Sequence, residues 1–421
     1  SDLWVEGART WPPFAAPGND TPTAASDTGR RTAAPRRPTT MNHPAGTKPA
    51  KPERDTPMNS PLHTPLCDKL GIEYPIVAFT HCKDVAVAVI NAGGFSVLGE
   101  ALHTPEQIDA DIKWIRERVG GKPFGIDLVL PSTVPEEKKL EDLLAMIPQG
   151  HRDFEQMIKH KYNVPDPKIA PDIHHWGGLD QKRAMDQLDV IFDHRVPVFA
   201  SGLGSPAFLL ERAHQLGMQV WGLVGKPKQA RRQIAAGTDV IIAQGYDAAG
   251  HTGNIGTFSI VPQVVDAARE AGVPVIAAGG VTTGRHLVAA LALGAAGVWT
   301  GSLWLTSRES DLNQPLKERL LEAETEDTVY SDCISGYTMR TTRSPWHDEW
   351  ASEQAPPILK PPLQMLLSSN YIQGSLDYQR KDLMTEAAGQ GIHYVREMKP
   401  ARQILSDIVE EALDVFDRFA A

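Results

Sequence analysis

The sequence predicts an α/β fold: a (β/α)8 barrel with a small helical C-terminal appendage and a disordered N-terminal tail. Three observations predict it. Eight short apolar runs recur between Pro75 and Thr300. Most are continuous, not alternating, as expected for parallel strands covered on both faces. The stretches between them are amphipathic, opening on Pro or a capping residue and closing on Gly. The last three runs empty into turns of small residues, and barrel active sites are built at the C-terminal ends of strands.

In chain order the expected strands are Pro75–Phe79, Phe95–Gly99, Phe124–Leu130, Val196–Ser201, Gln219–Val224, Asp239–Ala243, Pro274–Ala278 and Gly297–Thr300. Thr104-Pro105 opens a helix that closes at Gly120-Gly121. Pro206 opens another ending at Gly217, and Pro262 a third ending at Gly272. An open doubly wound sheet is the alternative. It requires a G-x-G-x-x-G turn after the first strand, where Phe79-Thr80-His81-Cys82 stands instead.

Three stretches fall outside this rhythm. Residues 1–57 are rich in Pro, Ala, Thr and Gly without apolar period, and read as a disordered tail. The barrel then occupies 58–310. Within it, 131–195 forms a long excursion with one expected helix, Glu136–Ile147, and a polar stretch through His174-His175-Trp176. Such an insertion covers a barrel mouth. Residues 311–421 form the appendage, with a loop rich in Arg, Pro and Trp from Arg340 to Pro362. Its last helix, from Ala401 to Phe419, places Ile404, Leu405, Ile408, Val409, Ala412, Leu413 and Phe416 on one docking face.

Composition excludes several classes. The net charge is −10; the tail carries eight Lys/Arg against six Asp/Glu, so the remainder is about −12. An acidic body disfavours nucleic acid as partner. No apolar run approaches the roughly 20 residues of a membrane span, and the N-terminus lacks an apolar secretory core. The three cysteines, Cys67, Cys82 and Cys333, form no C-x-x-C pair, which fits a reducing compartment. The expected location is the cytoplasm. His81-Cys82 and His174-His175 lack a third ligand at a recognisable spacing, so no metal is expected.

The chemistry concentrates in 239–310. One strand runs into Gln244-Gly-Tyr-Asp-Ala-Ala-Gly-His-Thr-Gly253, small residues around one imidazole, His251. The next ends in Gly279-Gly280 and the last in Gly301-Ser302. Glycines and a hydroxyl at strand ends supply converging N–H groups with no Cβ in the way, as a phosphate requires. Two such notches beside a lone histidine suit a flavin phosphate and a proton handler. At strand ends, Asp127 is a candidate for the flavin ring and His81 for the substrate. Arg340 and Arg343 are candidates for an anionic substrate.

These motifs, with Val275-Ile-Ala-Ala-Gly-Gly-Val281, Leu291-Ala-Leu-Gly-Ala295 and Thr300-Gly-Ser302 through Glu309-Ser310, resemble the nitronate monooxygenases, an FMN-dependent family formerly called 2-nitropropane dioxygenases. FMN-dependent enoyl-acyl-carrier-protein reductases are close relatives. The resemblance spans Leu66 to Ala421 in outline and is strong from Val196 to Ser310. It implies FMN as cofactor, with His251 as catalytic base. The implied cofactor contacts are Asp127, Gln244, Ala249, Gly279, Gly280, Trp299, Thr300, Gly301 and Ser302. Three positions depart from the family pattern: Asp247-Ala-Ala-Gly-His251 replaces Glu-Ala-Gly-Gly-His, Trp299 replaces a Gln, and Ala78-Phe-Thr-His81 replaces a strand ending in Pro-Met. The implied partners are a small-molecule substrate and O2, with NAD(P)H for the alternative, an enoyl reductase. A homodimer is compatible with the resemblance. A flavin-binding protein without turnover is the reading from another class.

Overall fold

A computed structural model describes residues 60–130, 140–169, 181–202 and 206–421. The tail 1–57 and His174-His175-Trp176 lie outside the described residues. Among those described there are eleven strands: β1 (Ile76–Thr80), β2 (Phe95–Gly99), β3 (Gly125–Leu128), β4 (Val198–Ser201), β5 (Gln219–Val224), β6 (Val240–Gln244), β7 (Gly250–His251), β8 (Val275–Ala278), β9 (Gly297–Thr300), β10 (Thr328–Ser331) and β11 (Met339–Thr342). The order β1-β2-β3-β4-β5-β6-β8-β9 closes on itself as a parallel barrel. Closure is made by Ile76, Val77 and Ala78 opposite Val298, Trp299 and Thr300.

All eight expected barrel strands form. Five begin later than the apolar runs, three of them because Pro75, Pro197 and Pro274 cannot donate to the ladder, so those strands start at Ile76, Val198 and Val275. Alternate residues divide between two cores. Val77, Phe95, Val97, Val198, Ala200, Trp221, Ile242, Ile276 and Trp299 fill the barrel interior, and Leu66 and Leu70 of the helix Pro65–Leu70 join them. Trp221 is fully buried and stacked on Phe95 at 5.4 Å; its truncation to alanine costs on the order of 3–5 kcal/mol. The intervening residues, such as Ile241, Ala243, Val275 and Val298, pack outward on the helices. This double burial is why the runs are continuous.

The helix Pro105–Arg118 starts as expected, with Thr104 and Gln107 forming a reciprocal capping box. The third helix does not: it runs Thr257–Arg269 and carries Pro262 inside it. The Asp247 carboxylate accepts from Thr257 N at 2.7 Å and fixes the start of the helix one and a half turns before the proline.

The excursion differs from expectation too. The helix expected over Glu136–Ile147 is described over Leu140–Ala145, with 136–139 outside the described residues; where no other helix was expected the excursion also holds Gln181–Asp193 and, directly after the first, the helix Gln149–Tyr162. Its Phe154 and Ile158 pack against Trp346 and Tyr371 of the appendage. The appendage is not purely helical: β10 and β11 pair antiparallel, and β11 pairs with β7. The final helix, Ala401–Ala420, docks Leu405, Ile408, Val409 and Ala412 against the barrel helices. It crosses the helix Gly284–Ala292 so closely that a Cβ at Gly284 would lie 2.2 Å from Ala412 N. None of the described helices is long and apolar enough to cross a membrane.

Candidate active site

Most of the expected site residues, the two arginines excepted, lie at or beside the C-terminal ends of the barrel strands. Strand alternation aims Asp127, Gln244 and Trp299 inward. Trp299 stacks on Phe79 at 5.4 Å with an interplanar angle of 22°, making an aromatic floor. His81 lies over Gly99, its ring edge-on to Phe79 at 5.1 Å. His81 Nδ1 donates to Gly99 O at 2.8 Å, and since a carbonyl only accepts, Nε2 keeps its lone pair. His81 is solvent-accessible, yet desolvation holds its pKa below the usual histidine range.

Asp127 is buried, with no hydrogen-bond partner shown among the described residues. Loss of water alone pushes its carboxyl up to about 7. Its place at the C-terminal end of β3 is the one expected of a residue facing the edge of a flavin ring.

The expected phosphate notch lies at two strand ends, those of β8 and β9. Gly279 and Gly280 have φ of 108° and 69°, the left-handed region that favours glycine. Gly279 also sits where a Cβ would meet Thr257 Oγ1 at 2.6 Å and Gly245 O at 3.1 Å. Gly301 has open space on its Cβ side. Thr300 turns the other way, its hydroxyl donating to Val77 O at 3.0 Å and accepting from Trp304 Nε1.

A third wall comes from the appendage, which the sequence reading missed. Gly389 N donates to Ser302 Oγ at 2.8 Å, and Gln390 N donates to Asp247 O at 2.9 Å. A Cβ on Gly389 would lie 2.7 Å from Asp247 O and 3.1 Å from Ala249 N. One on Gly391 would lie 2.8 Å from Gly280 O. The available signal is Gly389-Gln-Gly391, two glycines bracketing one residue in an otherwise side-chain-rich segment.

His251 sits on β7, held by backbone pairing of His251 with Met339 and Gly250 with Arg340. Its Nε2 lies 2.9 Å from Ser335 Oγ. The Ser335 hydroxyl donates to Tyr337 O at 3.0 Å, so its oxygen accepts from Nε2–H and Nδ1 carries the free lone pair. Burial pushes the His251 pKa down to about 4. The imidazole is therefore neutral at physiological pH and ready to accept a proton at Nδ1. Ser335 was not foreseen, lying 84 residues away in the appendage.

The two arginines do not reach this mouth. Arg340 is buried on β11, not in an open loop. Its Nε donates to Tyr246 O at 3.1 Å and Nη1 to Thr328 Oγ1 at 3.1 Å, with the guanidinium over the Tyr246 ring at 4.7 Å. The remaining Nη2 is enclosed without a partner. Arg340 thus ties β11, and with it β7 and His251, to the turn after β6. Arg343 points outward and pairs with Asp348 at 2.6 Å. Glu100, His103 and Asp111 bring ligand-capable atoms within 4.8 Å of one another behind β2. Lys83 pairs with Asp111 at 2.5 Å, and the hydrogen bond to Glu100 holds the His103 pKa above the usual histidine range. All three cysteines are free and buried.

The family model for nitronate monooxygenase matches residues 63–411. The chain belongs to the nitronate monooxygenase family. A Mycobacterium tuberculosis protein named for monooxygenase activity is 40% identical over 366 residues, covering 84% of this chain and 97% of that protein. A Staphylococcus aureus protein (strain N315) named for nitronate monooxygenase activity is 27% identical over 362 residues, covering 82% and 96%. Among solved structures, nitroalkane oxidase from Streptomyces ansochromogenes superposes with a TM-score of 0.69 at 26% identity, covering 84% of this chain and 99% of that one. FabK from Thermotoga maritima gives 0.65 at 25%, covering 85% and 98%. Members of the family are flavin-dependent, generally with FMN, and this chain is an oxidoreductase of that kind acting on a small molecule.

Proposed function

We propose that this protein binds FMN and oxidises alkyl nitronates with O2, His251 serving as the base that generates the nitronate from the neutral nitroalkane. The observation that carries this reading is the proton-free Nδ1 of a half-buried, neutral His251, fixed through Ser335 beside a phosphate-sized notch. A nitroalkane is a carbon acid: its α C–H proton goes to Nδ1 and the electron pair delocalises onto the nitro group. A neutral imidazole can take that proton near neutral pH.

The notch fits the cofactor. Gly279, Gly280, Gly301 and Ser302 would hold the phosphate, with Ala249 and Gly389 closing over it, and Asp127, Gln244 and Trp299 would meet the ring. The chemistry FMN supplies when bound is two-electron redox chemistry. The chain's residues place the substrate, exclude water and handle the proton. His81, with its open Nε2, lines the substrate side.

The second reading is an NAD(P)H-dependent enoyl reductase, supported by the likeness to FabK. Aerobic assays of the purified yellow protein separate the two. O2 uptake with nitrite release from 1-nitrobutane supports the oxidase reading. Rapid oxidation of NAD(P)H coupled to an enoyl thioester, with no nitrite from nitroalkanes, would replace it with the reductase.

A further inference from the structure

Glu100 carries an enclosed oxygen that no described residue satisfies. The residue follows β2 directly, its N donates to Asp127 O at 3.0 Å, and it is fully buried. Oε2 accepts from His103 Nδ1 at 2.6 Å, while Oε1 has no hydrogen-bond partner among the described residues. A buried carboxylate oxygen with neither donor nor cation is costly to hold. His103 Nδ1 also lies 3.3 Å from Oδ2 of Asp111, a buried residue of the helix Pro105–Arg118, so one ring nitrogen stands between two carboxylates. One ligand-capable atom from each of the three lies within 4.8 Å of the others. Lys83 takes the other Asp111 oxygen, Oδ1, at 2.5 Å. Glu100 and His103 share a turn closed by His103 N donating to Glu100 O at 3.0 Å, and Asp111 comes from the second turn of the helix that follows. The fold, not a motif spacing, brings the three together.

We propose that Glu100, His103 and Asp111 bind a divalent transition-metal ion, Zn2+ in preference to Mg2+, with water completing the shell on the partly exposed side of His103. Ligands at about 2.0–2.2 Å in a tetrahedron stand about 3.3–3.6 Å apart. The His103–Asp111 separation of 3.3 Å already meets this, and the 2.6 Å contact between Glu100 and His103 opens by about 1 Å or less. The ion replaces the proton on Nδ1, as metal binding to imidazole requires, and sets a cation against the Glu100 carboxylate. An imidazole in the shell suits Zn2+, whereas Mg2+ favours oxygen ligands alone. Lys83, on the other oxygen of Asp111, becomes an outer hydrogen-bond partner of the ligating carboxylate. Its side chain is 37% exposed, so water screens its repulsion from the ion. The ion clasps the turn after β2 to the helix behind it, beside Asp127 and the Gly99 carbonyl that accepts from His81. Such binding is independent of which reaction the flavin supports.

The untagged, FMN-loaded full chain is treated with EDTA, dialysed, and titrated with ZnCl2 and with MgCl2 by calorimetry. The expected result is saturable binding of Zn2+ at micromolar concentration, with Mg2+ about 100-fold weaker or more. His103→Gln and Asp111→Asn should each weaken the tightest Zn2+ binding by about 100-fold or more, since changes in outer partners alone cost about 10- to 100-fold. X-ray absorption at the zinc edge, with one equivalent bound, should show a single imidazole among oxygen ligands and no sulfur. That shell is read on the unsubstituted protein, so it decides the matter even where a variant fails to fold. Sulfur or several imidazoles in the shell would overturn the proposal. So would the lack of saturable Zn2+ binding, Mg2+ binding as tightly as Zn2+, or Zn2+ affinity unchanged in both variants.

Discussion

Replacing Gly389 by alanine isolates the appendage's part in holding the cofactor. The φ of Gly389 is −82°, so alanine adopts it without conformational cost and the effect is steric. The new Cβ would lie 2.7 Å from Asp247 O, 3.1 Å from Ala249 N and 3.3 Å from Ala248 C. All three are backbone atoms of the turn that carries His251, so no flexible side chain can yield. Relief requires the Gly389–Gln390 segment to back away, which stretches the hydrogen bonds from Gly389 N to Ser302 Oγ and from Gln390 N to Asp247 O. Each contributes about 0.5–1.5 kcal/mol. The expected result is FMN affinity weakened by about 10- to 100-fold. The assay is titration of apoprotein with FMN by quenching of flavin fluorescence, with the apoprotein melting temperature as control for the fold. Ser302→Ala, which removes one acceptor, should move affinity in the same direction by less. Unchanged FMN affinity in Gly389→Ala would refute the reasoning that the appendage forms a wall of the notch.

His251→Asn should retain FMN and lower turnover of a neutral nitroalkane by roughly 10²–10⁴-fold. In the unsubstituted protein kcat/KM for that substrate should retain a fall toward pH 4, where His251 protonates, and His251→Asn should remove it; a fall toward pH 4 that persists in His251→Asn would place the base elsewhere. Arg340→Ala should lower thermal stability and kcat while leaving relative KM values for anionic and neutral substrates alike, because the side chain anchors Tyr246 O and is closed to ligand; a KM rise confined to anionic substrates would contradict this. Asp127 has a folded pKa raised from 3.8 to about 7, so its favourable neutral form is fully present below 3.8 and is lost as pH rises through 7. Asp127→Asn should therefore stabilise the apoprotein by a few kcal/mol at pH 8 and by much less at pH 5, measured by urea unfolding. An equal gain at both pH values would show that ionisation of Asp127 is not the cause.

The barrel was legible because parallel strands buried on both faces leave continuous apolar runs, and the turns after β6, β8 and β9 must be small to admit a phosphate. His251 was legible as a lone imidazole among small residues. The sheet that positions it was not. Met339-Arg-Thr-Thr342 has no alternation, and β7 is two residues long, so their pairing is fixed only by tertiary contact. Pro262 misled because proline suits a first turn. What set that helix start was the Asp247 carboxylate, ten residues upstream of Thr257, and side-chain capping across a loop leaves no periodic trace. Arg340 misled for a related reason: charge in a polar segment looks available to a substrate until Tyr246 and Tyr330 are seen to enclose it. Gly389 reaches the mouth from the appendage, donating to Ser302 Oγ, and neither composition nor spacing announces so distant a convergence.

The central claim, that His251 removes a carbon-bound proton from a neutral nitroalkane in an FMN-dependent oxidation, is tested most directly by anaerobic stopped-flow measurement of flavin bleaching. The substrates are 1-nitrobutane, its α-dideuterated form and the preformed butyl nitronate, with the unsubstituted protein and His251→Asn. The account predicts bleaching by all three in the unsubstituted protein, slowed by α-deuteration of the nitroalkane. In His251→Asn, bleaching by 1-nitrobutane should be nearly abolished while the preformed nitronate still bleaches the flavin. Equal slowing of nitroalkane and nitronate in the variant, or no bleaching by either substrate in the unsubstituted protein, would contradict it.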